Sequence, residues 1–180
     1  MPVYIALYRG LNVGGKTTVK MEALRAMHEG LGHRGVKNYI QSGNIVFASD
    51  EPAEDLAKAC AVGFARAFNF SARVMLVEAS RWIEIVDGNP YAEAAEEDPK
   101  SVHVGVCLGQ PDAKGLAALL AKAKGPEAFE IRGDVVYLHA PDGLGRSKFA
   151  EGMEKAGGVP MTMRNWRTIE ALWAMAEETA

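Results

Sequence analysis

Apolar positions along the chain follow two rhythms, one of period two and one near 3.6. Val3, Ile5 and Leu7 alternate with Tyr4, Ala6 and Tyr8, which predicts a half-buried strand. Gly10 to Gly15 interrupts it. Met21, Leu24, Met27, His28 and Leu31 then recur at helical spacing, and Gly30 and Gly32 help to stop that helix. Val36 to Ile40 and Ile45 to Ala48 read as strands joined by a tight turn at Gln41-Ser42-Gly43-Asn44. Pro52 opens a second helix with Leu56, Cys60, Phe64, Ala67 and Phe68 on one face. Val74 to Val77 is a fourth strand, so the order is β-α-β-β-α-β.

A short helix around Arg81 to Val86 and an acidic linker, Asn89 to Lys100 with Pro90 and Pro99, come next. The order then begins again. Val102, Val104, Val106 and Leu108 alternate with His103, Gly105 and Cys107, and Leu116, Leu119, Leu120 and Ala123 mark a helix face. Glu130-Ile131 and Val135 to His139 flank the turn Arg132-Gly133-Asp134. Phe149 and Met153 indicate a helix, Val159 to Met163 a last strand, and Ile169, Leu172, Trp173 and Ala176 a terminal helix. The expected fold class is α+β: two tandem ferredoxin-like βαββαβ halves, antiparallel sheets with helices on one face, plus a C-terminal helix. Residues 1–88 form the first subdomain, 89–100 the linker and 101–180 the second subdomain, together one compact unit.

That topology has consequences for placement. The segment after Tyr8 and the turn from Gln41 to Asn44 are expected at one end of the first sheet. In the second half, Arg146, Ser147 and Lys148 are expected near Arg164, Asn165 and Trp166.

Composition narrows the function classes. With 48% hydrophobic and 24% charged residues among 180, the chain is globular in character. Its net charge of -3 provides no electrostatic drive towards nucleic acid or an anionic membrane, although a local patch would escape this count. Cys60 and Cys107 lie in apolar stretches and read as buried, reduced thiols. The start Met1-Pro2-Val3-Tyr4-Ile5 lacks the basic region of a signal peptide, and no apolar run reaches bilayer-spanning length. A cytoplasmic protein is expected.

Gly10-Leu11-Asn12-Val13-Gly14-Gly15-Lys16-Thr17 formally matches the phosphate-cradling pattern G-x-x-x-x-G-K-[ST]. Such a loop faces backbone N–H groups and a lysine towards phosphate. Against a nucleotide triphosphatase stands the hairpin that follows, because that fold needs a parallel sheet. Asp50, the one acid available to help hold magnesium, also lies beyond its strand. Two readings remain: another kind of anion site, or a structural glycine turn. Arg9, Asn12, Gly14, Gly15 and Lys16, with Gln41, Ser42 and Asn44, form the first candidate ligand-binding cluster, since these donors suit phosphate or carboxylate. In the alternative, Asn12 and Asn44 only brace turns. Arg146, Lys148, Arg164, Asn165 and Trp166 form the second cluster. Trp166 can equally pin a helix to the core, with Thr168 as the helix cap.

No metal site is expected. His103 and Cys107 share a strand face four residues apart, roughly 13 Å at the rise of a strand, too far for one ion. His28, on an apolar helix face, reads as core packing. No nucleophile–base set stands out, so no catalytic residue is assigned. An RNA-binding reading rests on Tyr4, Tyr8 and Phe47 as stacking aromatics on the sheet, without the aromatic pattern of an RNA-recognition strand.

Tyr4-Ile5-Ala6-Leu7, Arg9-Gly10-Leu11-Asn12-Val13-Gly14-Gly15-Lys16, and Tyr39-Ile40-Gln41-Ser42-Gly43-Asn44 with Val46-Phe47 resemble the bacterial domain-of-unknown-function family 1697. Thr162 with Arg164-Asn165-Trp166 and Thr168 is similar to its closing signature, and Arg146-Ser147-Lys148 to the stretch before its penultimate helix. The resemblance implies a compact α+β fold of two related subdomains and supplies no activity, cofactor or substrate. Thr17 departs from the family's usual pattern after the lysine. The leading expectation is a protein, enzyme or binder, for a small anionic ligand bearing phosphate or carboxylate, nucleotides among the candidates, at the glycine-rich loop. The alternatives are an RNA-binding module and an interaction domain with no small ligand.

Overall fold

The computed structural model describes residues 1–15 and 17–180. It contains two four-stranded sheets, each wholly antiparallel. By its internal contacts the chain divides into Met1–Val86 with Glu170–Ala180, and Asp87–Ile169.

In the first unit, β1 (Val3–Tyr8), α1 (Met21–Gly30), β2 (Arg34–Tyr39), β3 (Asn44–Ala48), α2 (Ala53–Phe68) and β4 (Val74–Glu78) give the sheet order β2-β3-β1-β4. This is the ferredoxin-like arrangement, in which β3 enters between β1 and β2. α3 (Ala79–Asp87) follows, with Trp82 and Ile85 buried. α1 and α2 bring Leu24, His28, Leu56, Cys60 and Phe64 into one core with Tyr4, Ala6, Tyr8 and Phe47.

β1 differs from the half-buried strand its alternation predicts, because every position is buried. Tyr4, Ala6 and Tyr8 face the helix-side core while Val3, Ile5 and Leu7 are buried as well. A tyrosine is stable there because its hydroxyl finds a partner. Tyr4 donates to the Glu51 carbonyl at 3.4 Å, and Tyr8 lies 2.9 Å from His28 Nε2. The burial of Tyr4, Tyr8 and Phe47 also removes the aromatic platform that an RNA-binding reading requires.

The second unit repeats the order. β5 (Val102–Cys107), α5 (Ala113–Ala123), β6 (Ala128–Arg132), β7 (Val135–His139), α6 (Lys148–Gly157) and β8 (Met161–Asn165) form a sheet of order β6-β7-β5-β8. Its core gathers Cys107, Leu116, Val136, Leu138, Phe149, Met153 and Met161. Within the acidic stretch before it, Ala92–Glu97 folds as α4, because its alanines offer a buried position at Ala95. β8 begins at Met161, two residues later than the apolar pattern suggests, after Pro160. α7 (Trp166–Glu177) closes the chain, and from Glu170 onward it belongs with the first unit. There Lys37 pairs with Glu178 at 3.2 Å. Among the described residues no helix is long and apolar enough to cross a membrane.

Candidate functional site

The loop after β1 and the β2–β3 turn do meet. Tyr8 N–H donates to the Gly43 carbonyl at 2.8 Å, and Asn12 Nδ2 donates to the Gln41 carbonyl at 2.6 Å. Gly43 allows this approach: a Cβ there would stand 2.8 Å from both Tyr8 Cβ and Leu11 Cδ1, and its φ of +82° disfavours other residues.

Several of the described donors at this end already have partners. Asn12 Nδ2 also reaches the Val19 carbonyl at 3.0 Å, and its Oδ1 accepts from Val19 N–H at 2.8 Å. Asn44 Nδ2 donates to the Tyr39 carbonyl at 3.0 Å and to Ser42 Oγ at 2.9 Å. Thr17, whose hydroxyl a P-loop would turn to magnesium, donates instead to the Gly10 carbonyl at 2.8 Å. α1 does not begin until Met21, so the loop does not run directly into a helix as a P-loop does. The sheet that carries this loop is antiparallel, which is not the parallel context that the G-x-x-x-x-G-K-[ST] pattern calls for. Arg9, Gly14, Gly15 and Gln41 are exposed, and Lys16 lies outside the described residues.

The second cluster divides. α6 starts with Ser147 as cap, its Oγ accepting from Ala150 N–H at 3.0 Å, and Phe149 seats the helix in the core. Beside this start lies a cavity of about 630 Å³, bordered by Leu144, Arg146, Lys148, Ala150, Glu151 and Met163 among others. Arg146 and Lys148 also border a smaller one of about 210 Å³ with Glu127 and Asp142.

Arg164, Asn165 and Trp166 do not line that cavity. Successive strand residues leave on opposite faces, so Met163 faces the helices and the cavity while Arg164 leaves on the other side. Arg164 Nη1 donates to the Met163 carbonyl at 3.0 Å, and burial lowers its guanidinium to about 10. Asn165, rather than Thr168, caps α7: its Oδ1 accepts from Thr168 N–H at 3.0 Å. Trp166 is buried, and its backbone N–H donates to the Pro99 carbonyl at 3.2 Å.

One polar group escaped the sequence reading. The core of the first unit holds His28, His33 and Cys60, with one ligand atom from each within 4.8 Å of the others. His28 Nδ1 lies 2.9 Å from His33 Nδ1, and Tyr8 links His28 to Cys60 by hydrogen bonds. Their meeting has a local cause. Gly32, at φ +87°, ends α1 in a Schellman turn, with Gly32 N–H on the Glu29 carbonyl and His33 N–H on the His28 carbonyl. That turn folds His33 back over His28. The Gly32 stop was visible in the sequence, and with it the signal that residue 33 returns to residue 28.

This chain of groups is satisfied with both imidazoles neutral, since each then carries one donor and one acceptor, and the Nδ1 to Nδ1 bond is lost if both are protonated. Burial, with His33 adding to it, lowers His28 to about 3, and burial lowers His33 to about 4. Burial also pushes the Cys60 thiol up to about 11, against the hydrogen bond from Tyr8.

Comparison with known proteins places the fold. A conserved bacterial protein from Streptococcus pneumoniae, SP0830, has a solved structure that superposes with a TM-score of 0.75 at 22% identity, over 97% of this chain and 98% of that one. The crystal structure of a putative chlorite dismutase, TA0507, aligns over 98% of this chain and 100% of that one at 12% identity. Its TM-score of 0.29 is too low to bear on the fold. No curated protein matches the sequence. A family model described as Protein of unknown function (DUF1697) matches residues 1–137, and the chain belongs to that family.

Proposed function

We propose that the protein binds a small anionic ligand, phosphate- or carboxylate-bearing, in the cavity beside the start of α6. The observation that carries this reading is the pairing of Arg146 and Lys148 around an open volume of about 630 Å³. Both side chains are exposed, and cations at a helix start reinforce the positive end of its dipole for an anion. Glu151 borders the same space, so the local charge is modest and favours a ligand that carries a donor next to its anionic group. Leu144, Ala150 and Met163 supply an apolar wall suited to an aliphatic or ring portion, as in a nucleotide or sugar phosphate.

The glycine-rich loop is the weaker location, because Asn12, Asn44 and Thr17 are engaged by the backbone around them. A thermal-shift screen against phosphate, nucleoside monophosphates, sugar phosphates and short carboxylates tests the choice. A ligand at about 100 times its dissociation constant adds roughly 2.7 kcal/mol, a rise of about 5–10 °C for a chain of this size. Arg146→Ala and Lys148→Ala are expected to abolish the shift, and Arg9→Ala to preserve it. The reverse pattern moves the site to the loop. No shift with any ligand overturns the proposal and favours a domain with protein partners.

A further inference from the structure

We propose that His28, His33 and Cys60 form a binding site for a zinc-class divalent ion in the core of the first unit. Three elements supply the donors: α1, the turn that ends it, and α2. Two imidazole nitrogens and a thiol sulfur are a donor set that zinc takes readily, and a thiolate discriminates against magnesium and calcium. All three residues are buried, and their ligand atoms already lie within 4.8 Å of one another.

The nitrogen pair is close to what an ion requires, and the Cys60 sulfur, within 4.8 Å, closes in on binding. Two nitrogens at about 2.0–2.1 Å from a tetrahedral zinc are roughly 3.3 Å apart, and nitrogen and sulfur about 3.6 Å. The observed Nδ1 to Nδ1 distance of 2.9 Å is that of a hydrogen bond, so the ion takes the place of the proton the two rings share. Opening that pair by about 0.4 Å is within reach of a rotamer adjustment. On binding, the Nδ1 proton moves to Nε2 of its ring and Cys60 loses its thiol proton to solvent, leaving a thiolate on the metal. Tyr8 stays on the Nε2 side of His28, where its oxygen accepts a hydrogen bond from the proton that this ring nitrogen then carries. The described residues of the hydrophobic cluster around the group are hydrocarbon and aromatic.

The full chain is unfolded in denaturant and refolded with one equivalent of Co2+, so that burial does not block entry. The expected result is one bound ion with an intense thiolate-to-cobalt band in the near ultraviolet, unchanged in Cys107→Ser and lost in Cys60→Ser and His33→Gln. Zinc refolded in the same way is expected to raise the melting temperature by about 5 °C or more. X-ray absorption on the zinc form of the unaltered chain needs no variant: one sulfur at about 2.3 Å and nitrogen or oxygen at about 2.0 Å are expected. Absence of bound metal after refolding overturns the site. So does a band that survives Cys60→Ser, or a zinc shell without sulfur.

Discussion

The two units share one strand order and keep their polar chemistry in different places. In the first, polar heads are turned inward: Tyr8, His28, His33 and Cys60 satisfy one another in the core, and Asn12 and Asn44 close the loops. In the second, the core is apolar around Phe149, and the cations Arg146 and Lys148 remain at the rim of an open cavity. The contrast separates donors that are used up by the backbone from donors left open to a ligand. Donors that complete a turn hold the backbone instead.

Four measurements break or sharpen that contrast. The largest effect is expected at the apolar core. Phe149→Ala removes a fully buried ring and should lower stability by about 3–5 kcal/mol in urea unfolding. A loss below about 1 kcal/mol would mean the second core is not built on that ring.

The buried histidines make stability depend on pH: His28 and His33 in the first unit, with His103 in the second, whose burial lowers it in the same direction. Unfolded imidazoles take up protons near pH 6.5, whereas the folded values are about 3 for His28 and about 4 for His33. Between those limits the unfolded chain binds more protons, so stability falls as pH drops from 6.5 towards 4. For one fully buried imidazole this amounts to about 3 kcal/mol across that window. Urea midpoints that stay level from pH 7 to 4.5 would contradict neutral, buried histidines.

Tyr8→Phe keeps the ring and deletes the hydroxyl between His28 and Cys60. Leaving His28 Nε2 without its partner should cost about 1–3 kcal/mol, read from the same titration. The smallest effect is expected at the loop. Asn12→Ala loses side-chain bonds to Val19 and Gln41 at a position with φ of +56°, a loss of about 1 kcal/mol. Ligand-induced shifts should be unchanged in this variant if the anion cavity lies beside α6. A larger effect on ligand response than on stability would restore the loop as the site.

Much of the site geometry followed from local signals. The turn at Gln41 to Asn44 and the strand ending at Tyr8 met because β-α-β-β order leaves few alternatives. The expected union of Arg146 with Arg164 failed for a reason of one residue. Met163 reaches the cavity and its neighbour Arg164 leaves on the opposite face, because successive strand residues alternate between the two sides of the sheet. Thr168 looked like a cap until β8 ran on to Asn165, whose side chain then took that role.

Periodicity and turn residues were enough to order the elements and repeat them, because each is dictated within a few residues of itself. Packing decided the rest. His28 and Cys60 looked like ordinary members of apolar helix faces, and only the docking of α1 and α2 on one sheet makes them neighbours of Tyr8 and His33. Asn12 and Lys148 both looked like donors in the sequence. Whether a donor meets a carbonyl or an open volume depends on residues distant in the chain, and that is a property of the folded molecule alone.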